Sequence, residues 1–382
     1  MSKPISFGLV GGAWRAEFFF RIAQALPERF RVVGCVTKNA ARRERIKTGW
    51  NIPVFDQVDD LLNKTPDFVV TSDPWAASGP LLLELALKNV PVLAETPPAD
   101  DLAALTLLWT SLPPNARIQV AEQYAFQPLH AARLAFVRAG KLGEVSEAQI
   151  SIAHGYHGIS LIRKFLNIEF EDAVIRAFEF ASPLIAGPDR TGPPLEEKHV
   201  ESLQTIAHLQ FGPKCAIFDF TGDQYHSWIR SHRLLVRGDR GEINNLDAVY
   251  LEDFRTPIRV RFERHDAGQT GNLEGHHHKG YSAGVTMWYQ NPFAPGRLLD
   301  DEIAIATCLR SMAKYLETGE PFYSLAEASQ DHYLSILVGE AAKTGRTIES
   351  SSQVWSQPGR LVESSHQTQT QARPNVAESK VS

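Results

Sequence analysis

Two groups of residues in this chain have types and spacings that could do chemistry. The first is Gly11-Gly12-Ala13-Trp14-Arg15-Ala16, which follows the apolar run 5–10 and precedes a helical pattern at Phe18, Phe19, Ile22, Ala23 and Leu26. In a strand–turn–helix unit, Gly11 supplies the sharp turn, Ala13 keeps the loop low enough for a pyrophosphate, and Ala16 lets helix and strand pack closely. The first N–H groups of the helix then face the phosphates. The pattern is Gly-x-Ala-x-x-Ala rather than the all-glycine form. The second group is His154, Tyr156 and His157. Imidazole titrates near neutrality, so a histidine of this group can act as a general base or acid, with the other polar groups in support.

Such groups need a scaffold, and the chain is long enough for two domains at 382 residues. The hydrophobic share of 43% and charged share of 22% are those of a globular protein. A net charge of −5 gives no attraction to nucleic acid or to an anionic membrane. No run reaches the ~18 apolar residues of a membrane span, and the early apolar run leads straight into the glycine turn rather than a signal-peptide cleavage site. Cys35, Cys215 and Cys308 are odd in number and far apart, which predicts reduced thiols and a cytoplasmic protein.

Short apolar strands at 5–10, 31–37, 53–55, 67–72, 90–94 and 117–121 alternate with helical stretches at 40–47, 58–62, 80–88 and 102–112. That alternation predicts a doubly wound parallel sheet of the Rossmann type over residues 1–122. After a helix at 128–139, alternating segments at 146–151, 173–180, 202–210, 214–220, 233–237 and 258–262 predict a second, strand-rich domain over 123–348. Residues 237–242 read as a hairpin turn, and helices at 300–318 and 324–344 close that domain. From 349 to 382 the chain is polar and rich in Ser, Gln and Thr, which predicts a disordered tail.

From residue 5 to about 346 the chain resembles the Gfo/Idh/MocA oxidoreductases, named for glucose–fructose oxidoreductase and inositol dehydrogenase. The resemblance is carried by residues 11–16, Val92-Leu93-Ala94-Glu95-Thr96-Pro97, Gln123 to Pro128, Gly140-Lys141-Leu142-Gly143-Glu144-Val145 and His157-Gly158-Ile159-Ser160. It implies a Rossmann domain followed by an α+β domain with a large, mostly antiparallel, open-faced sheet, through which subunits commonly meet as dimers or tetramers. It also implies hydride transfer between NAD(P) and a sugar-derived or polyol substrate. Ser72, Pro74 and Trp75 stand where the family places ribose and nicotinamide contacts.

The cofactor residues read from the sequence are Gly11, Gly12, Ala13, Trp14, Arg15, Thr37, Lys38, Ser72, Pro74, Trp75, Glu95, Thr96 and Gln123. The second strand ends Thr37-Lys38-Asn39 without the carboxylate that would hold a ribose diol, and Arg42 and Arg43 follow, which favours NADP somewhat over NAD. The family's Glu-Lys-Pro is here Glu95-Thr96-Pro97, and threonine cannot act as acid or base near neutral pH. The family's Asp-x-Gly-x-His-x-x-Asp reads Ala153-His154-Gly155-Tyr156-His157-Gly158-Ile159-Ser160: both carboxylates are gone and His157 stays. The resemblance thus makes His157 the expected general base on a hydroxyl whose carbon gives up hydride, with Tyr156 and His154 as supporting polar groups. These departures leave two alternatives open: an enzyme with held, recycled NAD(P) doing elimination or hydrolysis, and a catalytically silent nucleotide-binding regulator. Residues 275–281 carry three adjacent histidines. Neighbours on a strand point to opposite faces, so no metal site is expected, and a loop near the substrate is the functional reading. In residues 219–230, His226 and Arg230 are the candidates to line a sugar pocket.

Overall fold

The computed structural model describes residues 3–72, 75–268, 271 and 273–357. Its first sheet has, among the described residues, six parallel strands: β1 (Ile5–Gly11), β2 (Phe30–Val36), β3 (Val54–Phe55), β4 (Phe68–Ser72), β5 (Val92–Ala94) and β6 (Ile118–Val120). They lie in the order 3-2-1-4-5-6, the doubly wound arrangement, with its crevice between β1 and β4. Gly11 is in register with Ser72 at that point. The connecting helices are α1 (Ala16–Ala25), α2 (Ala40–Trp50), α3 (Val58–Leu62), α4 (Trp75–Leu87) and α5 (Leu102–Ser111). Asn39 caps α2 by accepting the Arg42 N–H, and Asp101 caps α5 by accepting that of Ala104.

The remaining strands are β7 (Val145–Ser151), β8 (Val174–Ile185), β9 (His199–Phe211), β10 (Lys214–Thr221), β11 (Arg233–Gly238), β12 (Gly241–Asn244), β13 (Asp247–Asp253), β14 (Thr256–Asp266), β15 (His278–Ala283), β16 (Thr286–Gln290) and β17 (Ile348–Glu349). They form one sheet in the order 16-15-14-13-12-11-7-10-9-8-17. Only β7 and β10 run parallel among the described pairs. Helices α6 (Pro128–Arg138), α7 (Gly155–Leu166) and α9 (Leu325–Thr344) lie on one face. The other face carries Phe178 and Phe180, which are 55% and 43% exposed. The hairpin expected at 237–242 joins β11 to β12.

Two placements differ from the sequence reading. Helix α8 (Asp300–Thr318) packs on the first sheet, where Ile303, Leu309 and Met312 share a core with Phe7, Phe19 and Ile22. A parallel sheet needs apolar cover on both faces, and α8 supplies part of it. Each such fully buried side chain contributes about 1.5–3 kcal/mol. The start of the expected polar tail is also ordered. Trp355 is buried beside Trp109 and donates its indole N–H to Gln330 at 2.9 Å, which holds the segment against α5 and α9. Residues 358–382 lie outside the described residues.

Candidate functional site

The turn after β1 is built from Gly11 and Gly12, with φ of 122° and 152°, a range that favours glycine. A Cβ on Gly12 would stand 3.3 Å from Ile46 Cδ1 and 3.4 Å from Thr37 Oγ1, so the space above the turn is kept by the missing side chain. Ala13 accepts the Ala16 N–H at 2.9 Å, which starts α1, and Ala16 is fully buried against the sheet. Arg15 donates to Glu95 at 2.9 Å, and its guanidinium lies 5.1 Å from the Phe18 ring centroid. Trp14 is exposed, and Arg190, from the loop between β8 and β9, stacks on it at 3.8 Å.

At the end of β2, Thr37 is buried and Lys38 exposed. Arg43 donates to the Thr37 carbonyl at 3.2 Å and pairs with Asp56, so it is committed to protein partners. Ser72 is buried at the end of β4. Pro74 lies outside the described residues, as does the side chain of Trp75. Gln123, just after β6, is buried, and its Oε1 has no hydrogen-bond partner.

Where the two sheets face each other, titratable and aromatic side chains converge. His157, in the first turn of α7, holds its Nδ1 2.6 Å from Glu122 Oε2. Both side chains are almost fully buried. Burial pushes the Glu122 carboxyl up to about 8, against the pull of the Tyr124 N–H and of Arg15. Burial and the Arg15 charge push His157 down to about 3. Each shift disfavours a charged form, so near neutral pH the pair is uncharged: a protonated carboxyl donating to Nδ1, with the imidazole proton on Nε2.

A chain of hydrogen bonds runs beside this pair. The Tyr225 hydroxyl accepts the His154 backbone N–H at 3.0 Å and the Tyr124 hydroxyl at 3.5 Å. Its own proton is then directed to His154 Nδ1, 2.6 Å away. That leaves His154 Nε2–H to donate to the Tyr156 hydroxyl at 3.3 Å, which also hydrogen-bonds Thr96. Burial and the neighbouring His157 hold His154 down at about 4, so it stays neutral and the directed chain is kept. The Tyr124 and Tyr156 rings each lie 4.5 Å from that of His157.

The fold thus brings His154, Tyr156, His157, Thr96 and Gln123 to one place, with Arg15 and Glu95 beside them. Sequence reasoning did not single out Glu122, Tyr124 or Tyr225. Glu122 follows β6, at the same sheet edge as Ser72 and Glu95, and that position was the available signal. Tyr225 joins the site from residues 219–230, whereas His226 is exposed. His278, from the histidine cluster, is the first residue of β15 and is buried 2.8 Å from Asp266, away from this group. Among the described residues, no three or more His, Cys, Asp or Glu are grouped to hold a metal ion.

No family model matches the chain, and no curated protein matches it in sequence. Solved structures do. It is similar to levoglucosan dehydrogenase in complex with NADH and levoglucosan, at 13% identity over 91% of this chain and 99% of that one, TM-score 0.64. It is similar to a myo-inositol dehydrogenase from Corynebacterium glutamicum, at 15% identity over 92% and 100%, TM-score 0.62. It is similar to aldose-aldose oxidoreductase from Caulobacter crescentus complexed with glycerol, at 16% identity over 91% and 100%, TM-score 0.61. The order 3-2-1-4-5-6 of the first sheet, the open-faced second sheet and these matches over nine-tenths of the chain agree: the chain has the fold of the Gfo/Idh/MocA oxidoreductases.

Proposed function

We propose that this chain is an NAD(P)-dependent oxidoreductase acting on the CH–OH group of a sugar-derived or polyol substrate. The observation that carries this is the buried Glu122–His157 pair at the carboxyl edge of the first sheet, where ligands of such sheets bind. A proton-transfer pair excluded from water is what a carbinol–carbonyl interconversion needs beside the reacting oxygen. Structures of similar fold named for myo-inositol, levoglucosan and aldoses support the substrate class.

The residues fit a dinucleotide. Gly11, Gly12 and Ala13 leave room over the start of α1 for a pyrophosphate, and the unpaired Gln123 Oε1 is a buried acceptor suited to a carboxamide N–H. Ser72, Thr96 and Glu95 line the same edge, and Thr37 and Lys38 lie at the adenosine end. Lys38, without a carboxylate at the end of β2, supports NADP over NAD. When bound, the nicotinamide supplies the hydride donor or acceptor.

In the reducing direction, His157 Nε2–H gives its proton to the substrate oxygen, and the Glu122 carboxyl proton moves onto Nδ1. The pair ends as a carboxylate facing Nδ1–H, with a free Nε2 lone pair. In the oxidising direction that same form accepts the hydroxyl proton at Nε2 and returns the Nδ1 proton to Glu122. Thr96 holds Tyr156 in place and takes no part in the proton transfer. This relay supplies a role that the family's lysine fills elsewhere.

We assign cofactor binding to residues 1–122, and substrate binding and self-association to 123–348. Self-association as a dimer or tetramer runs through the open face carrying Phe178 and Phe180. The three free cysteines support a cytoplasmic setting. No described helix is long and apolar enough to cross a membrane. The test is titration of the protein with NAD⁺, NADP⁺ and their reduced forms, followed by a sugar and polyol screen read by nicotinamide absorbance. Stoichiometric NAD(P)H formation supports the reading. Binding without net turnover favours a recycled cofactor or a regulator, and no binding removes the enzyme.

A further inference from the structure

Beside the hydride site, a cleft of about 180 Å³ lies between α6 and the start of β11. Gln127, His130, Arg133, His232, Asn245 and Tyr281 are on its wall. Arg133 is 5% exposed. Its Nε and Nη2 donate to the Asn245 carbonyl at 3.0 and 2.6 Å, and Nη1 lies 3.3 Å from His130 Nδ1. Guanidinium has five N–H donors, and these contacts use three. No carboxylate pairs with Arg133 among the described residues. Of the other charged lining groups, Arg233 pairs with Asp219, and Asp300 pairs with Arg264, which Asp266 shares. Arg133 is thus a buried cation on the cleft wall with no carboxylate in ion-pair contact among the described residues, an arrangement that costs free energy until an anion arrives. Burial lowers Arg133 to about 10, opposed only by the Tyr281 phenol.

The cleft adjoins the proton-transfer group. Gln127 donates to Asp301 at 2.7 Å, and the Asp301 charge is felt by both His157 and Tyr124. Ile152, also on the wall, is two residues before His154. At ~30 Å³ per water-sized group, the volume takes roughly six such groups, enough for a carboxylate and the carbons next to it.

We propose that this cleft seats a carboxylate of the substrate, so that the chain acts on a sugar acid rather than a neutral sugar or polyol. Arg133 is the specificity residue, its spare N–H groups donating to the carboxylate in charge-assisted hydrogen bonds that a neutral hydroxyl cannot match. His130, His232 and Tyr281 supply neutral polar contacts around it. This rests on the oxidoreductase reading above for the identity of the ligand as substrate.

The full chain is titrated calorimetrically, in saturating NADPH or NADH, with D-gluconate and D-glucuronate and with D-glucose and myo-inositol as neutral counterparts. The acids are expected to bind about tenfold or more tightly than the neutral compounds. Arg133→Met is expected to erase that preference while binding nucleotide as the wild type does. If Arg133→Met does not fold, Arg133→Lys and His232→Gln replace it, and each is expected to shrink the preference by about threefold or more. Equal binding of acids and neutral sugars, no binding of either acid, a preference that survives loss of Arg133, or binding of inorganic phosphate alone overturns the proposal. Nucleotide titration without sugar is read separately, so a failure there counts against the oxidoreductase reading and not against the cleft.

Discussion

Glu122 and His157 stand 35 residues apart in sequence and 2.6 Å apart in space, one after the last strand of the first sheet and the other in the first turn of α7. Neither side chain is useful alone. A buried imidazole with no partner has no path for its second proton, and a carboxyl at this depth has no contact with substrate except through the ring. The pH behaviour follows from the Glu122 value of about 8. Carbonyl reduction needs the pair with its proton, so its rate falls as pH rises through about 8. Alcohol oxidation needs the proton gone, so its rate rises through the same range. Glu122→Gln removes both limbs and lowers kcat by about 100-fold. Opposed pH–rate profiles in the two directions check this, and profiles of the same sign count against the relay.

His157→Ala is expected to lower turnover by about tenfold or more while leaving cofactor affinity within about twofold. Steady-state kinetics and nucleotide titration on one preparation separate the two. Activity near the wild-type level removes His157 from the mechanism.

Tyr225→Phe takes away the acceptor for the His154 N–H and the donor to His154 Nδ1. The expected loss is about 1–3 kcal/mol of stability, because a buried donor and acceptor are left unmet. Denaturant unfolding measures it. An unchanged midpoint and slope means that His154 finds other partners.

Ala13→Asp puts a carboxylate over the start of α1, where a pyrophosphate would sit. Nucleotide affinity is expected to fall by about 100-fold or more from crowding and like-charge repulsion. A folded variant with wild-type affinity counts against the glycine turn as the phosphate site.

Phe178 and Phe180 lie on the same side of β8, facing away from the helices. Phe178→Asp with Phe180→Asp is expected to weaken self-association by about 100-fold or more, since the two charges would be buried without partners. Sedimentation over a concentration series reads the change. An unaltered oligomer places the contact elsewhere.

The first sheet was legible because each of its strands is a short apolar run next to a helix with its own cap or apolar face, all local signals. Residues 275–281 were not. His278-Lys279-Gly280 mixes polar residues and glycine, and it becomes part of strand β15 only by pairing with its neighbours β14 and β16. At the site, His157, Tyr156 and Thr96 could be found by their place in known motifs. Glu122 offered only its place after β6 and Tyr225 offered nothing, because their contacts come from partners 35 and 71 positions away. A lone carboxylate or phenol carries no mark of the ring it will meet. The destination of α8 was hidden for the same reason. Its apolar stripe says that it packs, not against which sheet.

That destination governs the order in which the protein can be made. The hydrophobic cover of β1 includes Ile303, Leu309 and Met312, nearly three hundred residues downstream. While the chain is being synthesised, its first-made sheet waits with apolar surface bare until α8 leaves the ribosome, and closing a loop of that length is slow. A fragment that stops at residue 122 would inherit the same exposed face permanently. The first sheet is therefore a layer of the fold but not a unit of folding.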